Sequence, residues 1–220
     1  MGGMGERRYS MHDFIYVTKK EAMPVKKELI RLINEVQNLV RQNFTFRFDF
    51  VGSSKRNMVT YDRKSNIGYD FDVNIEVNDD NEKYSPDKIR SIIMTAINKV
   101  ASKYGYDFCE DSTSVLTIKV KNTARSRIIH SCDFAIVYNC ENGDQQYIRF
   151  NKDNQNYTWD YRGNGFVDLP QKIEWIKRNK LWNELKEYYI EKKNNNTNPQ
   201  KHSRSIFAET VNEICQKNNY

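Results

Sequence analysis

Hydrophobic residues recur every three to four positions between Glu21 and Asn43, a period typical of an amphipathic helix. Pro24 falls in the first turn of this predicted helix, where proline is well tolerated. The period then changes to two up to Val51, which predicts a strand with one aromatic side. The helix stripe is Val25, Leu29, Leu32, Ile33, Val36, Leu39 and Val40, and the strand's aromatic side is Phe44, Phe46, Phe48 and Phe50.

A second strand is predicted over Tyr69–Val77, where apolar and polar side chains alternate. Its polar side carries Asp70, Asp72, Asn74 and Glu76. Ser85, Pro86 and Asp87 then form a helix start, and Gly105 stands where a C-cap glycine would. A second helix over about residues 86–104 follows from these signals.

The middle of the chain favours sheet. Two β-rich runs cover 114–121 and 127–138, a hairpin turn fits residues 141–144, and a further strand fits 146–150. Tyr157, Trp159 and Tyr161 also alternate at strand spacing.

The last part of the chain favours helices, over Pro170–Lys193 and about Ile206–Lys217. Helix, sheet with a packed helix, then helices is an α+β layout. We expect an N-terminal tail at 1–20, a core of mixed β-sheet flanked by helices at 21–165, and a small C-terminal helical segment at 166–220.

Composition excludes several classes. With 220 residues, 38% hydrophobic residues, nine glycines and four prolines, the chain is neither collagen-like nor wholly disordered. The longest apolar runs are far shorter than the roughly 20 residues that cross a bilayer. We therefore expect no membrane partner. The first ten residues carry charges with no apolar run after them, unlike a secretory signal, so we expect a cytoplasmic location. The net charge of +6 favours a polyanionic ligand.

The candidate chemistry begins with Asp70 and Asp72. Their spacing of two places both carboxylates on one face of a strand, where they repel each other unless a cation lies between them. Mg²⁺ is typically held by one or two carboxylates together with substrate phosphates. A nucleoside triphosphate is the natural ligand for such a site.

Two further features complement the pair. Gly52 lets backbone approach a phosphate closely, and the hydroxyl of Ser53 can donate to its oxygens. Asp133 interrupts an otherwise apolar β-run, where a lone aspartate is costly unless it is coordinated. A two-metal site for phosphoryl transfer uses such a third carboxylate.

These residues resemble the nucleotidyltransferases of the DNA polymerase beta type, with their Gly-Ser motif, a later Asp-x-Asp and a third aspartate on an adjacent strand. The likeness is greater to the branch that holds the CCA-adding enzymes, the oligoadenylate synthetases and the cyclic-dinucleotide synthases. In that branch, too, a helix precedes the motif. The resemblance covers about residues 24–150.

The resemblance implies a transferase that uses a nucleoside triphosphate, ATP among them, and releases pyrophosphate. Asp70 and Asp72 would bind two Mg²⁺, with Mn²⁺ as a substitute, and Asp133 would complete the acceptor-side metal and help activate the attacking hydroxyl. The triphosphate would be held by Gly52, Ser53, Ser54, Lys55 and Arg56.

The sequence also departs from the family. Asp70 follows Gly52 by 18 positions (70 − 52), so the loop over 55–68 must bulge out or make contacts of its own. The acceptor stays open between a nucleotide, an RNA end, a small molecule and a protein. A non-catalytic nucleotide- or RNA-binding module on the same fold is the alternative.

Overall fold

The computed structural model describes residues 11–79, 82–163 and 167–220. Most of the expected tail, and the expected boundary at 165–166, lie outside these residues. The described chain groups into two compact units. The larger unit holds residues 16–61 and 66–163, and the smaller holds 11–15, 62–65 and 167–220.

The larger unit is α+β, as predicted, and its helices and strands follow the predicted order. The elements of the whole chain are β1 Phe14–Tyr16, α1 Lys19–Val40, β2 Thr45–Val51, α2 Gly52–Lys55, β3 Thr60–Asp62, β4 Tyr69–Asn78, α3 Pro86–Val100, β5 Glu110–Asp111, β6 Leu116–Asn122, β7 Arg127–Asn139, β8 Gln145–Asn151, β9 Asn156–Tyr161, α4 Leu169–Arg178, α5 Trp182–Asn195 and α6 Ser203–Lys217.

Seven strands form one mixed sheet in the order β2-β4-β7-β6-β5, and the hairpin of β8 and β9 extends from β7. Strand β4 runs antiparallel to β2 and parallel to β7. The long strand β7 therefore lies beside β4, β6 and β8, and it brings distant parts of the sequence together at the middle of the sheet.

Helices α1 and α3 contribute to the hydrophobic core of the larger unit together with one face of the sheet. Thr18 and Glu21 form a capping box that starts α1. Gly105 adopts the left-handed conformation at the end of the turn that follows α3, as its sequence position predicts. The core includes Leu29, Leu32, Ile33, Val36, Phe71, Val73, Ile75, Ile93, Ile97, Leu116, Ile118, Phe134 and Ile136.

The smaller unit contains α4, α5 and α6. Its buried side chains include those of Ile176, Leu185, Tyr189, Ile206, Phe207, Val211 and Ile214. Within the parts of the chain that the structure describes, no helix combines the length and the hydropathy needed to cross a bilayer.

Two predicted helices are wrong in detail. The helix predicted over 170–193 is two helices, because Lys180 adopts a positive φ of 60° between α4 and α5. The first helix starts earlier than predicted, so Pro24 lies beyond its first turn, and Leu39 is 47% exposed rather than buried. The segment after Val51 forms a four-residue helix, α2.

Candidate active site

Asp70, Asp72 and Asp133 meet on the polar face of the sheet, as the sequence predicts. The parallel register of β4 and β7 places Asp72 beside Asp133, with Asp70 two residues earlier on the same face. One carboxylate oxygen from each residue lies within 4.8 Å of the others. Three acidic groups thus converge at one point.

Each flank of this carboxylate triad carries a hydroxyl donor. The Oγ of Ser131, which is paired with Asp70 in the register, donates to Asp70 Oδ1 at 2.8 Å. The Oγ1 of Thr117 on the neighbouring strand β6 donates to Asp133 Oδ1 at 2.5 Å. These bonds fix the orientation of two carboxylates before any ligand arrives.

The acids of the triad are held in an unfavourable environment. Burial, reinforced by the charge of Asp133, raises the pKa of Asp70 to about 7 and that of Asp72 to about 6. Burial also raises the pKa of Asp133, although the hydrogen bond from Thr117 opposes the shift. A cation at the triad would relieve this strain by compensating the ionised groups.

The donor set fits a hard divalent cation. All three groups are carboxylates, the ligands that Mg²⁺ and Mn²⁺ prefer. Their oxygens are close enough to hold one ion in common. Raised pKa values in a partly buried cluster are typical of functional sites.

Gly52 lies directly against Asp72. Its φ is +60°, and a Cβ at this position would lie 2.7 Å from Asp72 Oδ2. Only glycine combines this conformation with the absence of a side chain. The short helical turn α2, which follows β2, can therefore approach the triad closely.

Ser54 is buried and belongs to the framework of the turn. Its hydroxyl donates to the carbonyl of Val51 at 2.7 Å and lies 3.4 Å from the backbone nitrogen of Asp72. Ser53 precedes it, and the carbonyl of Ser53 accepts a hydrogen bond from the backbone of Met58 at 2.9 Å.

The two basic residues of the predicted phosphate loop differ in position. Lys55 is exposed at the end of α2. Arg56 is half-buried, and its charge lowers the pKa of Asp72 against the effect of burial. Arg56 therefore acts electrostatically on the triad.

His130 faces away from the triad, because it stands three positions before Asp133 on the same strand. Its Nε2 lies 3.1 Å from the hydroxyl of Tyr106, and its ring stacks on Tyr69. Burial lowers the pKa of His130 to about 4, so it is neutral at neutral pH.

Sequence reasoning missed three residues of this face: Thr117, Ser131 and Arg162. Thr117 and Ser131 alternate with core residues in strands, and a small hydroxyl side chain at such a position is too common to be diagnostic. Arg162 follows β9, and its charge lowers the pKa of Asp72. The strand register is what brings Thr117 and Ser131 to the triad.

The chain is similar to several proteins of known structure. No protein-family model matches the chain, and no curated protein matches it. Vibrio cholerae DncV cyclic AMP-GMP synthase, in complex with the linear intermediate 5′ pppA(3′,5′)pG, superposes with a TM-score of 0.59 at 13% identity. This match covers 89% of this chain and 67% of that chain.

Two further solved structures are similar. The STING-associated CdnE c-di-GMP synthase from Capnocytophaga granulosa has a TM-score of 0.56 at 15% identity and covers 92% of this chain and 62% of its own. The GTP-bound form of V. cholerae DncV has a TM-score of 0.53 at 15% identity and covers 90% of this chain and 52% of its own.

The chain thus spans between about half and two thirds of the length of these structures. At such low identity the likeness concerns the fold. The mixed sheet and its flanking helices agree with it. The chain shares its fold with these synthases.

Proposed function

We propose that this protein is a metal-dependent nucleotidyltransferase that moves a nucleoside monophosphate from a nucleoside triphosphate to a hydroxyl group and releases pyrophosphate. The observation that carries the proposal is the convergence of Asp70, Asp72 and Asp133 within 4.8 Å on adjacent strands. The fold supports it, because the similar structures include nucleotide-bound synthases.

The triad would hold Mg²⁺, or Mn²⁺ in its place. When bound, the metal supplies positive charge that neutralises the carboxylates and the reacting phosphate. The protein's own part is to hold the ligand oxygens in place through Ser131 and Thr117. Removing either donor would leave a carboxylate less well oriented.

The turn at Gly52–Arg56 would receive the β- and γ-phosphates. Gly52 lets the turn lie directly against Asp72, Ser53 offers a hydroxyl, and Ser54 ties the turn to β4. Lys55 and Arg56 add positive charge at the end of α2. This assignment follows the resemblance to the superfamily.

In the proposed reaction, the acceptor oxygen forms a bond to the α-phosphorus while the bond from the α-phosphorus to the bridging oxygen breaks. Pyrophosphate leaves with the bridging oxygen and its electron pair. The hydroxyl proton passes to a carboxylate of the triad, Asp133 by the resemblance, and then to water. A second nucleotide is the acceptor to test first, because the similar structures are named as synthases of cyclic dinucleotides.

The proposal is tested with each α-labelled nucleoside triphosphate, singly and mixed, in Mg²⁺ or Mn²⁺. Asp72→Asn should abolish labelled products while leaving the fold intact. Asp49→Asn is the matched control, because Asp49 is an exposed carboxylate on the neighbouring strand β2, opposite Asn74. It should react as wild type does. Full activity of Asp72→Asn would overturn the proposal.

A further inference from the structure

Arg162 occupies a defined position on the same sheet face as the triad. Its Nη1 donates to Oε1 of Gln145 at 2.7 Å, and its Nη2 points to Oδ1 of Asn74 at 3.4 Å. The guanidinium lies 5.6 Å from the ring centre of Tyr147. These contacts come from β8 and β4, so the side chain reaches across the intervening strand β7.

The sequence of β7 makes this reach possible. Asn74 is paired with Ala135, the small residue two positions after Asp133 on the same face. A larger side chain at position 135 would occupy the path of Arg162 over the sheet. The guanidinium is thus preorganised beside Asn74 rather than left on a mobile side chain.

Arg162 and Gly52 approach Asp72 from different sides. Strands β2 and β4 are antiparallel, with Val51 opposite Asp72 and Asp49 opposite Asn74. Moving from Asp72 to Asn74 therefore leads away from Gly52, by roughly 7 Å along the strand. The charge of Arg162 still reaches Asp72, whose pKa it lowers.

We propose that Arg162 is a substrate-binding residue that holds a phosphate group of a nucleotide beside Asp72, on the side of Asn74. A guanidinium is a planar fork of five N–H donors whose geometry matches phosphate oxygens. The inference rests on the proposed function. It adds a contact outside the Gly52–Arg56 turn, on the side where the α-phosphate of the donor or a phosphate of the acceptor would lie.

The test compares Arg162→Gln with Arg149→Gln. Arg149 lies on the same face of the same hairpin, half-exposed and 4.0 Å from Asp160. Calorimetry in Mg²⁺ would measure binding of a non-hydrolysable nucleoside triphosphate, which represents the donor. Binding of a nucleoside 5′-monophosphate to the analogue-saturated protein would represent the acceptor.

Arg162→Gln should weaken one of these two ligands about tenfold or more, the loss expected for a charge-assisted hydrogen bond. Weakened analogue binding would assign the contact to the donor, and weakened monophosphate binding would assign it to the acceptor. Arg149→Gln should change both affinities less than twofold. Arg162→Lys should bind better than Arg162→Gln, because it retains the charge.

Thermal unfolding without ligand separates binding from folding. A purely structural Arg162 would lower the melting temperature of Arg162→Gln but leave both affinities at the wild-type value, and that result overturns the inference. If Asp72→Asn nevertheless binds the analogue more weakly than wild type, the proposed function stands and only the role of Arg162 is wrong. If the wild-type chain binds neither ligand in Mg²⁺, both proposals fall.

Discussion

Gly52 is constrained both by its backbone conformation and by its closeness to the triad. Its positive φ and its contact with Asp72 make two separate demands, one on conformation and one on space. Gly143 makes only the first, because its φ is +88° and an added Cβ would meet nothing within 4 Å. The two glycines therefore separate backbone strain from damage to the triad.

Gly52→Ala should abolish nucleotide transfer, because the methyl group would displace the Asp72 carboxylate. Both Gly52→Ala and Gly143→Ala should lose about 1–2 kcal/mol of unfolding free energy from the left-handed conformation. Urea unfolding and a transfer assay would measure the two effects. Retained transfer activity in Gly52→Ala would contradict the close approach of Gly52 to Asp72. An equal loss of transfer activity in Gly143→Ala would contradict it as well.

Ser131 acts through Asp70. Ser131→Ala removes the hydroxyl that orients Oδ1 and partly offsets the raised pKa of Asp70. The Mg²⁺ concentration needed for half-maximal thermal stabilisation should rise about tenfold, as for other residues that support metal ligands. Ser131→Thr keeps the hydroxyl and should remain near wild type. An unchanged Mg²⁺ requirement in Ser131→Ala would show that this hydrogen bond has no such role.

At the scale of elements, helix α3 is joined to the sheet region by a buried arginine. Arg90 is 1% exposed, and its Nε donates to Asp111 at 2.7 Å. Its Nη2 donates to the carbonyls of Ser112 and Val115, and its guanidinium lies over the ring of Tyr157. The Arg90 side chain thus links α3 to β5, to the loop after β5 and to β9.

Arg90→Met should cost about 2–3 kcal/mol of unfolding free energy, because it leaves these acceptors without their donor. Arg47→Met removes an arginine from an exposed pair with Glu76 and should cost less than about 1 kcal/mol. Urea denaturation of both variants gives the comparison. Equal costs would mean that the buried contacts of Arg90 contribute no more than a surface ion pair.

The sequence was sufficient for elements with a clear period. Alternation in β2 and β4 predicts both strands, and the same alternation predicts that Asp70 and Asp72 share a face. The three-residue strands β1 and β3 are too short to show a period and were not predicted. The break between α4 and α5 was missed because nothing in the pattern indicates a left-handed Lys180.

The composition of the site was predictable only in part. Asp133 was predictable because it is an aspartate inside an apolar strand. Its position beside Asp72 is set by parallel pairing of strands about 60 residues apart, which no local pattern encodes. Arg162 carries no periodic signal, and its place depends on how the β8–β9 hairpin lies against β7. The predicted triphosphate contacts of Ser53, Lys55 and Arg56 remain predictions.

For the molecule as a whole, the triad links stability to pH and metal. Asp70 and Asp72 have pKa values raised to about 7 and about 6, so the folded state binds their protons more tightly than the unfolded state does. Their contribution to stability is therefore greatest at low pH and is lost as pH rises from about 4 to 7. Metal binding should reverse this loss.

We expect Mg²⁺ to raise the melting temperature more at pH 8 than at pH 5, because ionised carboxylates bind it without displacing protons. Metal-free Asp70→Asn should be more stable than wild type at pH 8, since it lacks the ionised buried group, and should gain less from Mg²⁺. Differential scanning calorimetry at both pH values, with and without chelator, measures this. A Mg²⁺ effect that is equal at both pH values would contradict the assignment of the triad as the metal ligands.

The most direct test of the central claim is the stoichiometry of the reaction. Wild-type protein with an equimolar mixture of the four nucleoside triphosphates in Mg²⁺ should release one pyrophosphate for each α-labelled nucleotide that enters a new product, and Asp72→Asn should do neither. Release of inorganic phosphate without transfer of the α-label, or no reaction in Mg²⁺ or Mn²⁺, would contradict the claim that this site transfers nucleotides.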